Sequence, residues 1–252
     1  MSATDLTPLI ATIAFVFLLA GFVKGVVGLG LPTISMGLLS LAMPPAQAAA
    51  LLVVPSLVTN VWQIAARPGL WALARRIAGL LVGVCAGVAV GAGWLAGGAT
   101  GGMTLALGLA LFAYAALGLL SVRLHVPARA ERWVSPLVGL ATGLVTAATG
   151  VFVIPAVPYL QALGLDKEEL VQALGISFLV STIALALALG SGGALRPQAV
   201  AGSLLALLPA LAGMGLGQWL RLRVRPELFR KLFFAGLLLL GAYLSLRGAM
   251  HA

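Results

Sequence analysis

The chain has 252 residues, 62% of them apolar and only 8% charged, with a mean hydropathy of +1.13. A soluble domain carries about 25% charged and 45–50% apolar residues, so soluble enzymes, secreted disulfide scaffolds and disordered tails are excluded. The 15 basic residues outnumber the 6 acidic ones, but they lie between apolar runs and form no single basic face; this speaks against a nucleic-acid partner and for topogenic loops.

In chain order, the leader Met1–Asp5 carries an acid and no Lys or Arg. A cleavable secretion signal needs a basic start, so the first apolar segment, Leu6–Val23, is expected to stay in the mature protein. Segment two, Val26–Met43, is interrupted by glycine and then proline within Lys24-Gly-Val-Val-Gly-Leu-Gly-Leu-Pro-Thr-Ile-Ser35. Glycine permits dihedrals closed to other residues, and proline favours the first turn of a helix. A break here frees backbone groups that lipid cannot satisfy. Either protein or a water-filled cavity receives them, or the break is a tight turn at the interface. A helix starting at Pro32 would aim its positive end at such a cavity, a place suited to an anion. Gly28, Gly30, Pro32, Thr33 and Ser35 are therefore candidate substrate contacts. Lys24, flanked by apolar sequence, either ligates the anion or snorkels to the cytoplasmic interface.

The third segment, Ala46–Ala66, places Ser56, Thr59, Asn60 and Gln63 at i, i+3, i+4 and i+7, on one helix face. Amides are expensive in a span unless they face the bundle interior or a pathway, so Asn60 and Gln63 are candidate site residues, with interhelical bonding as the alternative. The fourth, Ile77–Ala96, repeats glycine at 79, 83, 87 and 91, a face for close helix packing within the chain or for a homodimer. Cys85 lies in this run, and as the single cysteine it forms no intrachain disulfide. Met103–Val122 is the fifth segment.

The second set is Trp133–Thr149, Val151–Gly164, Leu170–Leu189, Gln198–Leu220 and Phe229–Leu246. Its first pair is broken at Thr146-Ala-Ala-Thr-Gly-Val-Phe-Val-Ile-Pro155, so Thr146, Thr149, Gly150 and Pro155 join the candidates. Gln172, Ser177, Ser181 and Thr182 line the next helix, and Ser177 and Ser181 are candidates on it. Gly213, Gly215 and Gly217 are read as packing positions. Apolar runs this continuous exclude a membrane β-barrel, whose strands alternate every second residue.

The two sets superimpose at a constant offset of 122: Gly21 falls on Gly143, Gly28 on Gly150, Leu57 on Leu179. Five segments per half would insert the second half upside down. The expectation is an all-α polytopic membrane protein of two inverted repeats, residues 1–122 and 123–252, with broken or re-entrant helices in the first pair of each half. Ten crossings with both termini outside put 13 basic residues, among them Lys24, Arg67, Arg123 and Arg225, on the cytoplasmic side and leave Arg196 and Arg247 outside. That is a strong positive-inside bias. Re-entrant first pairs, leaving three spans per half, preserve the same sorting. Inverted halves with interrupted helices are typical of secondary transporters.

All six acids fall in predicted loops or tails, as do His125 and His251. A buried carboxylate relay, a zinc cluster and a P-loop are missing, so neither a cofactor nor catalysis is expected. Glycine-rich Gly21-Phe-Val-Lys-Gly-Val-Val-Gly-Leu-Gly-Leu-Pro32, its weaker repeat at Gly143–Pro155 and the duplicated halves resemble the sulfite exporter TauE/SafE family of bacterial membrane permeases. Leu31 and Val151-Phe152-Val153 depart from its pattern. The resemblance implies a multi-pass inner-membrane protein moving small anions such as sulfite, sulfonates or related organic acids. Other readings are a permease for a different metabolite and a membrane-embedded scaffold without flux.

Overall fold

The computed structural model describes residues 3–65, 69–97, 100–120, 125–221, 223 and 226–251, and these contain helices and no strand. Arg67, Arg123 and Arg225, and the expected junction at 122–123, lie outside the described residues. The helices are α1 (Ala3–Val27), α2 (Leu31–Leu39), α3 (Pro45–Ala65), α4 (Leu70–Arg76), α5 (Ala78–Val90), α6 (Trp94–Gly97), α7 (Thr100–Leu120), α8 (Ala128–Thr149), α9 (Ala156–Ala162), α10 (Lys167–Ser191), α11 (Pro197–Arg221) and α12 (Pro226–His251).

Among the described residues six helices are long and apolar enough to cross a membrane: α1, α3, α7, α10, α11 and α12. The pair α4 and α5, bent by 63°, makes a seventh if it is one span. α8 matches them in length but carries Arg129, Glu131 and Arg132 in its first turns, which lower its hydropathy. α2 and α9 have 9 and 7 residues; at about 1.5 Å per residue neither reaches across a core of about 30 Å. The second segment of each set is thus a short buried helix and not a full helical span. The third, eighth, ninth and tenth segments end within a few residues of the expected bounds, while the fourth divides at Gly91–Gly93, leaving α6 beyond it.

Local sequence explains several ends. Asp166 starts α10 with a capping box: its carboxylate accepts from the Glu168 and Glu169 amides at 2.9 and 2.7 Å, and Glu169 accepts from the Asp166 amide at 3.1 Å. At the same end of the bundle Arg76 donates to both oxygens of Glu131, at 2.7 and 3.1 Å, and to the Leu163 carbonyl at 3.0 Å. One guanidinium therefore ties the end of α4 to the first turn of α8 and the end of α9.

Helix pairs are held by glycine. Gly21 and Gly25 of α1 lie on α11 against Ala210, Met214 and Gly217, and Gly213 and Gly217 of α11 lie on Leu18 and Phe22. Gly83 and Gly87 of α5 meet Gly139 and Gly143 of α8 in the same way, and Gly108 of α7 meets Gly241 of α12. At each of these a Cβ would collide with the facing backbone, so the glycines set the interhelical distance. The Gly79–Gly91 face offered by the sequence for self-association is therefore taken up within the chain. Gly215 departs from its neighbours: nothing stands within 4 Å of the Cβ position there.

Pro55 inside α3 has no N–H, which leaves the Leu51 carbonyl without its helical donor. Ser203 of α11 supplies it, donating to Leu51 O at 2.8 Å and accepting from the Val54 amide at 3.0 Å. Ser203→Ala should lower stability by about 1–2 kcal/mol, read as an earlier thermal midpoint in detergent. Restoring the amide with Pro55→Ala should shrink that loss, because Leu51 O then has an intrahelical donor.

Candidate functional site

α1 continues four residues past the end expected for it, and the break falls at Gly28–Leu29–Gly30. Gly28 (φ 82°) and Gly30 (φ 116°) occupy the left-handed region that favours glycine, and Pro32 stands in the first turn of α2. The break is buried on all sides, which removes the reading of a solvated interfacial turn. Protein receives its freed groups: Gln63 Nε2 of α3 donates to the Gly28 carbonyl at 3.0 Å. The Gln63 Oε1 atom is buried and has no partner among the described residues.

Because α1 extends to Val27, Lys24 sits in its last turn facing α3, not at a free end. It is 3% exposed, so it does not snorkel. Its ammonium donates to Thr59 Oγ1 at 3.0 Å and to Asn60 Oδ1; its third N–H has no acceptor among the described residues. Asn60 Nδ2 donates to Ser56 Oγ at 3.2 Å. Thr182 Oγ1 spends its proton on the Phe178 carbonyl at 2.6 Å, so in the 2.9 Å contact with Ser56 the serine is the donor. The bonds run one way, Lys24 to Asn60 to Ser56 to Thr182, from α1 through α3 to α10. The four stripe residues of α3 are all buried, as the helical spacing predicted.

Lys24 meets no carboxylate among the described residues; both of its partners are neutral. A buried cation is costly unless paired and hydrogen-bonded. The Lys24 amine is therefore held by neutral hydrogen-bonding partners without a counter-charge, in a site that is closed in this conformation.

The remaining candidates lie differently. Thr33 donates to the Gly30 carbonyl at 3.0 Å, Thr146 to Thr142, Thr149 to Val145 and Ser181 to Ser177, each within its own turn or helix. Ser35 and Ser177 are buried with hydroxyls that have no partner among the described residues. Gly150 (φ 71°) opens the second break, where the Val151 amide donates to Thr149 Oγ1 at 3.1 Å; Pro155 stands at the start of α9. Here the filling is apolar. Phe152 is fully buried with its ring 5.2 Å from that of Phe178, and Gly150 lies on Met36 and Ala49. The first break is polar and the second is not, an asymmetry that matching glycines and prolines do not reveal.

Ser56, Thr59 and Thr182 are absent from the site residues that the sequence suggests. Thr59 shares the i, i+3, i+4, i+7 face and was open to selection on that ground. Thr182 was visible only as one of several hydroxyls on α10, because its role depends on which helix crosses it.

With this geometry in view, the family model for the sulfite exporter TauE/SafE matches residues 13–244 of the chain. Neither the curated proteins nor the solved structures offer a significant match. The match spans nearly the whole sequence, and the chain belongs to the TauE/SafE family of membrane permeases.

Proposed function

We propose that the protein is a secondary transporter for a small sulfur-containing anion, sulfite, a sulfonate or a related organic acid, bound at Lys24. The observation that carries this reading is the buried Lys24 ammonium with only neutral partners. An anion supplies the missing charge, and the spare N–H of Lys24 and the second N–H of Asn60 are the donors it would meet first. Thr59 and Gln63 complete the polar wall, while Gly28, Gly30 and Pro32 shape the backbone beside it. Thr33, Ser35, Ser177 and Ser181 form its outer contacts, and Thr146, Thr149, Gly150 and Pro155 form the matching hinge of the second half. Moving an anion unchanged requires no catalytic group and no cofactor.

Alternating access follows from two inverted repeats exchanging roles around the breaks. Several contacts support that relation. α1 lies on α11 as α8 lies on α5. Gly28 approaches Val171 of α10, and Gly150 approaches Ala49 of α3; each pair of equivalents is 122 residues apart. In this arrangement the chain sits in the bacterial inner membrane with both termini periplasmic and its basic loops cytoplasmic.

Uptake of radiolabelled sulfite into proteoliposomes holding the purified chain tests the reading. Saturable flux above protein-free vesicles, competed by other small sulfur oxyanions, is the expected result. Flux equal to empty vesicles, with and without proton and sodium gradients, removes sulfite as the substrate. The same result across a panel of sulfonates and organic acids ends the transport reading.

A further inference from the structure

α5 and α8 run side by side in the same direction. Gly79 faces Ser135 and Pro136, Gly83 faces Pro136 and Leu140, and Gly87 faces Leu140 and Leu144. The start of α5 therefore lies beside the first turns of α8. α4, bent by 63° from α5, meets α8 at the same corner, where Arg76 binds Glu131.

Two other arginines here are stacked on tryptophan. Arg75 lies 5.8 Å from the centre of the Trp71 ring and Arg132 lies 5.1 Å from that of Trp133, within reach of a cation–π attraction. Both indoles are open to the surroundings, 74% and 67% exposed, and Arg75, Arg129 and Arg132 are exposed as well. Stacking holds a guanidinium by its face and leaves the N–H groups of its edge for phosphate. None of these three arginines pairs with a carboxylate among the described residues; Glu131, beside them in sequence, is held on both oxygens by Arg76. Next to this charge the surface is apolar. Arg129, Trp133, Leu137 and Leu140 fall on one face of α8, and Leu137 and Leu140 are exposed. At about 1.5 Å per residue Leu140 lies about 12 Å along the helix from Arg132. On α5, Val82 and Ala86 are exposed in turn, and Gly79, Gly83 and Gly139 put no side chain into the seam between the two helices.

We propose that this corner binds an anionic phospholipid, with its phosphate on Arg75, Arg129 and Arg132 and an acyl chain along the α5–α8 seam. Charge and shape select this occupant together. A small dissolved anion would use the arginines and leave the apolar stripe uncovered. A zwitterionic lipid brings an amine that three guanidiniums without counter-charge repel. Tryptophan and arginine at headgroup level, beside an apolar helix face, suit a lipid whose own charge is negative. The assignment does not depend on what Lys24 does.

The test uses the full chain in detergent, given equal amounts of phosphatidylglycerol and phosphatidylethanolamine with the same acyl chains. Native mass spectrometry reads which lipid is retained, and the thermal midpoint is taken with and without each lipid. Wild type should retain phosphatidylglycerol in preference and melt higher with it. Arg75→Gln/Arg132→Gln should retain at least fivefold less and lose that rise. Both side chains are exposed and the Arg76–Glu131 pair stays, so the lipid-free midpoint should match wild type. Arg196→Gln/Arg247→Gln removes the same charge away from this corner and should retain as much as wild type. The proposal is overturned if wild type holds both lipids alike, or if the Arg75/Arg132 variant keeps its phosphatidylglycerol. Equal loss in the two double variants overturns it too, since net charge and not this corner would then attract the lipid. A dimer that sheds phosphatidylglycerol as it forms does the same, by placing a second copy on the face.

Discussion

Asn60→Asp should leave the protein folded and stop anion uptake. The substitution is nearly isosteric and places a carboxylate on the Lys24 ammonium, where an amide oxygen now accepts its bond. Ser56, which accepts from Asn60 Nδ2, can turn its hydroxyl to donate to the new oxygen, and Thr182 can turn its own from the Phe178 carbonyl to donate to Ser56, so the network closes again. The thermal midpoint should therefore equal or exceed that of the wild type. An internal counter-charge competes with the substrate for the same cation. Two unit charges 4 Å apart interact by about 4 kcal/mol at an effective dielectric of about 20, which corresponds to two to three decades in affinity. Sulfite uptake in proteoliposomes should fall by that order. Lys24→Ala tests the same point by deletion. Losing a hydrogen bond to a charged group costs about 1.5–3 kcal/mol, so its apparent affinity should drop about 10- to 100-fold. A lysine serving only to hold α1 on α3 predicts the same melting behaviour but the opposite for uptake: Asn60→Asp transports normally. That outcome would take Lys24 out of the anion's path.

Gly213→Ala and Gly215→Ala, two residues apart on α11, should behave in opposite ways. A Cβ at Gly213 meets the Leu18 carbonyl and the Phe22 amide of α1, backbone atoms that move only if the helices part. Overpacking of this kind costs about 1–3 kcal/mol, and more where backbone must shift. Gly213→Ala should melt several degrees lower and lose monodispersity in detergent. Gly143→Ala, aimed at Val84 O and Gly87 of α5, should do the same to the other pair. Gly215→Ala meets nothing and adds a better helix former, so its midpoint should match or exceed the wild type. Equal effects at 213 and 215 would mean that the α1–α11 contact does not set stability.

The sequence treats those two glycines alike, and the reason is general. Composition, apolar run length and the positions of glycine and proline are local quantities, and they determined the membrane class, the all-α architecture, the two breaks and the polar face of α3. Gly28 and Gly150 were recognisable as the places where a helix must yield, because a left-handed residue next to a helix-starting proline is a property of a few consecutive residues. The stripe Ser56, Thr59, Asn60, Gln63 was legible because 3.6 residues per turn puts those spacings on one side.

What lies opposite such a face is a matter of which helix crosses it and at what height, and no local pattern states that. α1 runs four residues beyond its expected end, and that extra turn carries Lys24 from a free end into contact with Thr59 and Asn60. Ser203 became the partner of the Leu51 carbonyl only because α11 passes beside Pro55. Phe152 filled the second break against Phe178, and Arg247 came to donate to the Leu41 carbonyl although 206 positions separate them in the chain. An apolar run can bury a residue against any neighbour of similar shape at similar energy, whereas a buried cation, a freed carbonyl or a glycine in backbone contact accepts few. Those partners are chosen by the packing of the whole bundle, and so the tertiary structure alone decided what surrounds Lys24.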